Sequence, residues 1–209
     1  MDFNVIIVED QSLPRQFFYN IINGAEGYSV RAAFDSADGV EEFCSGNQVD
    51  LILMDVSLGS NGDGLTLARQ IKKSHSQIKI LVVTQMPEAT YLQRAKAIGV
   101  DSFWYKDVVG ESLLNVIHMT MQGIHVYPDN PPIVKIGLAD NTCFTDREMD
   151  VLRLMTTGAG DAEIADQLFI SYDTVRTHIK HMTEKTGLSR VRLAIEARAT
   201  GIAIGKSSK

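Results

Sequence analysis

Five short apolar, β-branched runs, each followed by an amphipathic segment, constrain this chain more than any other feature. The runs lie at 3–8, 28–34, 50–54, 78–83 and 101–105, and the amphipathic segments at 12–23, 37–45, 64–74, 88–97 and 108–122. Short runs of mainly apolar or β-branched residues are expected as strands buried on both faces. Strands alternating with helices imply a parallel sheet covered on both sides, an α/β architecture with few allowed topologies.

The alternation stops after Gly123. Pro128, Pro131 and Pro132 cluster in a stretch that cannot continue a helix. Residues 123–141 are therefore expected as a linker between domains at 1–122 and 142–209. From Thr145 onward the sequence predicts only helices. Thr145 and Glu148 form a capping box, and Phe144 and Met149 are spaced for a hydrophobic staple. Val151, Leu152, Leu154 and Met155 supply an apolar stripe ahead of Gly158. Further helices are expected at 161–168, from Ser171 to Thr186 before Gly187, and at 189–200.

Charge divides unevenly between the halves. Residues 1–140 carry 10 Lys+Arg against 17 Asp+Glu, a net of −7, whereas 141–209 carry 10 against 9, a net of +1. Between 172 and 192 stand Arg176, Lys180, Lys185, Arg190 and Arg192 against only Asp173 and Glu184. Such enrichment suits nucleic acid and equally suits a solvated helix face. Cys44 and Cys143 are far apart, which suggests neither a disulfide framework nor a zinc site. No apolar run is long enough to span a bilayer, and the start lacks signal-peptide character. The expected setting is cytoplasmic, with no membrane partner.

Ligands of an open α/β sheet gather at the carboxyl ends of its strands. There the sequence places Glu9 and Asp10 after the first strand, Asp55 after the third, Thr84 after the fourth and Lys106 after the fifth. Taken singly, each has an ordinary structural role as a cap, turn or strand residue. Together they bring three carboxylates, a hydroxyl and an ammonium to one rim. Clustered carboxylates need a hard cation or a lysine, and Mg²⁺ suits such an oxygen-rich setting. A carboxylate can also act as a nucleophile toward a phosphoryl group.

These residues resemble the receiver domains of two-component response regulators over about 1–122. Val8-Glu9-Asp10-Gln11 is similar to the family's acidic motif, and Leu51 to Asp55 to its phosphoacceptor strand. Val82-Val83-Thr84 and Phe103-Trp104-Tyr105-Lys106-Asp107 are similar to its switch threonine and lysine segments. The resemblance implies a flavodoxin-like doubly wound fold. It implies that Glu9, Asp10, Asp55 and the Ser57 carbonyl hold Mg²⁺. It implies that Asp55 takes phosphate from a sensor histidine kinase, with Thr84 and Phe103 moving in response. The loop departs from the family: Gly59 stands in place of a proline, and the segment to Gly64 is one residue longer.

Residues 144–201 resemble the LuxR-type helix-turn-helix, an all-α domain of four helices. Phe144 to Glu148, Glu163-Ile-Ala165, Leu168 to Ser171 and Thr174 to Lys180 carry the likeness. Together the two halves resemble the NarL/FixJ family. Val175, Ile179 and Met182 form a core stripe, and Arg176, Thr177, Lys180 and His181 project from the other side. Arg176 and Lys180 are expected at base edges of double-stranded DNA, and His181 and Lys185 at phosphates. The likeness also draws in Thr174 and His178, the latter as phosphate contact or packing residue. Asp161-Ala162 precede Glu163 where the family often has a lysine.

The expectation is a phosphorylation-controlled transcription factor, a homodimer when phosphorylated, and not an enzyme. An aspartate-nucleophile phosphatase would carry Asp-x-Asp after the first strand, which Glu9-Asp10-Gln11 lacks. The alternative is a phosphorylation-independent DNA-binding regulator whose receiver is mainly a dimerisation module.

Overall fold

A computed structural model describes residues 2–58, 62–87, 89–106 and 112–202. The chain divides into two compact units that part between Pro131 and Pro132.

In the first unit, strands β1 (Phe3–Val8), β2 (Tyr28–Phe34), β3 (Leu51–Asp55), β4 (Lys79–Thr84) and β5 (Ser102–Tyr105) alternate with helices α1 (Ser12–Asn23), α2 (Val40–Gly46), α3 (Gly64–Ser74), α4 (Ala89–Ile98) and α5 (Leu113–Met121). The sheet is parallel in the order β2-β1-β3-β4-β5. The chain reverses direction across the sheet at β1, so a crevice opens between the ends of β1 and β3. Register sets the rim: Val8 lies beside Met54, Asp55 beside Val83, and Thr84 beside Tyr105. Hence Glu9, Asp55, Thr84 and Lys106 leave four strands at one level. Val5, Ile7, Leu51, Leu53, Leu81 and Val83 pack with Phe18, Ile22, Val116 and Ile117 of α1 and α5.

Asp101, at the head of β5, is gripped by Lys72, by Lys79 at 3.0 Å and by the Ile80 N–H at 2.8 Å. Burial alone would raise its carboxyl, but these contacts hold it below the usual carboxylate range. The stretch 123–141 is shared between the units. Its start runs beside β5: the Phe103 N–H donates to the Val126 carbonyl at 2.8 Å, and the Val126 N–H to Ser102 Oγ at 3.1 Å. Its later part forms a short antiparallel hairpin of β6 (Lys135–Ile136) and β7 (Ala139–Asp140) in the second unit. Two-residue strands are too short to show period-two alternation, so the sequence predicted no strand there.

The second unit continues with α6 (Asp146–Thr156), α7 (Asp161–Leu168), α8 (Tyr172–Thr186) and α9 (Arg190–Ala199). Both halves of the capping box form: the Glu148 N–H donates to Thr145 Oγ1 at 3.2 Å, and the Thr145 N–H to Glu148 Oε2 at 2.8 Å. Val151, Leu152, Ile164, Val175, Met182 and Leu193 are wholly buried in one core, which also takes in Phe144 and Met149. Among the described residues no helix is long and apolar enough to cross a membrane.

Candidate functional site

The rim of the first unit assembles the expected acidic group. Glu9 has no solvent exposure, and Asp55 and Thr84 are buried. Lys106 reaches back between the acids, donating to Glu9 Oε2 at 2.5 Å and to Asp55 Oδ2 at 3.1 Å. Phe18 places its ring 5.6 Å from that ammonium. Arg15 of α1 donates to the Glu9 carbonyl at 2.6 Å and the Asp10 carbonyl at 3.1 Å, fixing the turn that carries both acids. The Lys106 N–H donates to the Thr84 carbonyl at 2.9 Å, joining the exits of β4 and β5.

Burial pushes the Asp55 carboxyl up, Lys106 opposes that shift, and Glu9 adds to it. Burial would lower Lys106, but Asp55 and Glu9 outweigh it and hold the ammonium above its ordinary value. One lysine thus faces two buried acids, with Asp10 beside them. Glu9, Asp10 and Asp55 each present a carboxylate oxygen within 4.8 Å of the others. Asp10 Oδ1 is buried without a hydrogen-bond partner. An all-oxygen donor set with surplus negative charge and an orphaned acceptor fits a hard divalent cation such as Mg²⁺.

Ser57 lies two residues past Asp55 and pairs through its backbone with Asp63. Gly59, Ser60 and Asn61, where the longer loop was expected, lie outside the described residues, as does Asp107. Sequence reasoning missed the part played by Gly64. A Cβ there would stand 1.8 Å from the Asp55 carbonyl oxygen, so only glycine fits. Asp63-Gly64 ahead of an apolar helical run marks a helix start, but no sequence signal reports how closely that start approaches β3. Phe103 is buried, and its ring meets Tyr105 edge-on with centroids 5.0 Å apart.

On the second unit, α8 begins at its Ser171 cap, whose Oγ accepts the Thr174 N–H at 3.1 Å and lies 2.7 Å from Thr174 Oγ1. Val175, Ile179 and Met182 face the core, while Arg176, Thr177, Lys180 and His181 are exposed. His178 is half-buried. Thr177 donates its hydroxyl to the Asp173 carbonyl at 2.8 Å, which leaves its methyl group for apolar contact. Lys180 has only a loose pairing with Glu184 at 3.8 Å.

Lys185, expected at a DNA phosphate, makes contacts within its own domain in this structure. Its ammonium donates to Glu148 Oε2 at 2.7 Å, Glu148 Oε1 at 2.9 Å and the Cys143 carbonyl at 3.0 Å. Two of these contacts go to a nearly buried carboxylate and the third to a backbone carbonyl, while the lysine side chain itself stays about a third exposed. Arg190 is likewise tied to Asp161, 2.8 Å away, and to the Ala159 carbonyl at 2.9 Å. Asp161, which stands where the family often has a lysine nearby, thus joins α7 to α9.

Comparison with known proteins gives this arrangement its family. The response regulator receiver domain matches residues 5–118, more than half of the chain, and the luxR family of bacterial regulatory proteins matches 142–197. The chain is a response regulator of the NarL/FixJ family. The transcriptional regulatory protein DesR of Bacillus subtilis is 29% identical over 87% of this chain and 89% of its own length. The oxygen regulatory protein NreC of Staphylococcus aureus is 30% identical over 88% of this chain and 91% of its own. RcsB of Salmonella enterica serovar Typhimurium, solved on the rprA promoter with the phosphomimetic BeF₃⁻, shares the fold. Its TM-score is 0.55 at 21% identity, over 92% of this chain and 96% of that one. This response regulator is therefore a DNA-binding member of a two-component system, in a family of transcriptional regulators rather than enzymes.

Proposed function

We propose that Asp55 accepts a phosphoryl group from a sensor histidine kinase, and that the phosphorylated chain dimerises and regulates transcription through α8. The reading assigns 1–122 to the receiver, 142–209 to the DNA-binding domain and 123–141 to their connection, in a cytoplasmic protein. The observation that carries it is Lys106 bridging Glu9 and Asp55, with Asp10 alongside.

An Asp55 carboxylate oxygen attacks phosphorus, a new P–O bond forms, and the bond to the donor breaks with its electron pair leaving on the donor. The product is an acyl phosphate on Asp55. Lys106 holds the carboxylate in place and offsets charge on the transferring group. Thr84, at the end of β4, supplies a hydroxyl toward the new phosphoryl oxygens, and Phe103 responds on β5. Glu9, Asp10, Asp55 and the Ser57 carbonyl would hold Mg²⁺. When bound, that ion supplies positive charge against the carboxylates and the phosphoryl oxygens. Thr174, Arg176, Thr177, His178, Lys180, His181 and Lys185 form the DNA-facing set, Lys185 reaching phosphate in exchange for part of its hold on Glu148.

Phosphoramidate with MgCl₂ should label the chain on Asp55 alone, as read by tandem mass spectrometry. Asp55→Asn should carry no label, because an amide is a poor nucleophile. Undiminished labelling of that variant would overturn the assignment. A wild type that takes no label yet binds DNA would favour the phosphorylation-independent regulator.

A further inference from the structure

Arg94 of α4 makes an ion pair with Asp63, the residue that caps α3. Asp63 is a junction. Its Oδ1 accepts the Leu65 N–H at 3.0 Å, its Oδ2 accepts the Thr66 hydroxyl at 3.0 Å, and its backbone pairs with Ser57. The next residue, Gly64, donates its N–H to the Val56 carbonyl at 2.9 Å and lies against the Asp55 carbonyl. The two residues after Asp55 are thus held by Asp63 and Gly64, and Asp63 is held in turn by α4. The same helix follows Thr84 along the chain, after the short link that leaves β4.

We infer that Arg94 is a positioning residue, which couples the place of α4 to the Ser57 backbone carbonyl. This rests on the reading of the acidic rim as a Mg²⁺ site. The Asp63 side chain is only 13% exposed. Without Arg94 a mostly buried carboxylate loses its cation and turns toward water, and the Ser57–Asp63 pairing loosens with it. Groups one layer behind a metal's ligands orient those ligands and set affinity. Coupling of this kind is reciprocal: if α4 steadies the cation site, a bound cation steadies α4.

Calorimetric titration of the full chain with MgCl₂ tests the coupling. Arg94 is itself 41% exposed, so Arg94→Gln leaves the core intact. It should weaken Mg²⁺ roughly three- to tenfold, less than the roughly 10–100-fold typical of a direct partner of a ligand, because Arg94 acts through Asp63. Arg94→Lys, which keeps the charge, should recover most of that loss. Asp63→Asn keeps an acceptor for the helix cap and should weaken Mg²⁺ as Arg94→Gln does. Hydrogen exchange gives an independent readout. Mg²⁺ should slow exchange across α4 in the wild type and do so less in Arg94→Gln. A merely structural role would lower melting temperature and leave Mg²⁺ affinity alone. Wild-type Mg²⁺ affinity in both charge-removing variants would overturn the coupling and leave the rim reading standing. A wild type that binds no Mg²⁺ would overturn the rim reading itself.

Discussion

Glu148 does two jobs in the second unit, and one of them depends on its charge. It closes the cap of α6 and receives Lys185 from α8. Burial alone would raise its carboxyl, but Lys185 and Thr145 outweigh burial and hold it below its ordinary value. A depressed carboxylate contributes stability above its unfolded pKa, near 4.5, and loses it as pH falls through the folded value. Glu148→Gln keeps the cap and removes the charge. The stability gap between wild type and this variant should be widest near neutrality and close as pH falls below about 4.5. Denaturant melts across pH check this, and a gap that does not vary with pH would contradict it. Lys185→Ala should cost roughly 1–3 kcal/mol, because the nearly buried Glu148 is left without its cation. The capping box was legible because Thr145 and Glu148 are three residues apart. Lys185 stands 37 residues from its partner. The pairing of a basic residue late in a recognition helix with so distant an acid is not legible from spacing.

At the scale of elements, the strand pattern predicted the sheet because β1, β3 and β4 are near-continuous apolar runs buried on both faces, whereas β2, at the sheet edge, carries Ser29 and Arg31 and buries only Tyr28. The helix at 64–74 was equally plain, yet the reason for Gly64 was not. Its contact with the Asp55 carbonyl arises from how closely α3 approaches β3, which spacing alone does not encode. Gly64→Ala should destabilise the receiver by roughly 2–4 kcal/mol, since backbone must shift to admit the methyl group. It should also slow labelling of Asp55. Thermal melts and labelling time courses test both, and wild-type values in each would show that the approach is slack. On α8 the outward face matches the expectation, with Arg176 and Lys180 one turn apart and exposed. Arg176→Ala should weaken a preferred duplex by about 1–3 kcal/mol more than a scrambled one, as loss of a base contact does. Equal weakening of both duplexes over a salt series would make Arg176 a phosphate contact.

For the whole molecule, the acidic first half and the mildly basic second half divide the work. The receiver concentrates negative charge around Lys106, and phosphorylation would replace the single charge of the Asp55 carboxylate with roughly −1.5 to −2 on the phosphoryl group, by analogy with other phosphorylated side chains. Under the proposed function that charge would bias a two-state receiver, and a dimer would place two α8 helices about 34–36 Å apart, one turn of DNA. The order of strand ends carried most of this reading, because four strands had to deliver Glu9, Asp55, Thr84 and Lys106 to one level. The most direct measurement is sequencing of genomic fragments captured by the purified chain with MgCl₂ and phosphoramidate, wild type beside Asp55→Asn. A phosphorylation-controlled regulator predicts a set of enriched sites in the wild type that collapses in Asp55→Asn and in wild type without the phosphodonor. Superimposable enrichment in all three samples would contradict control of DNA binding by Asp55.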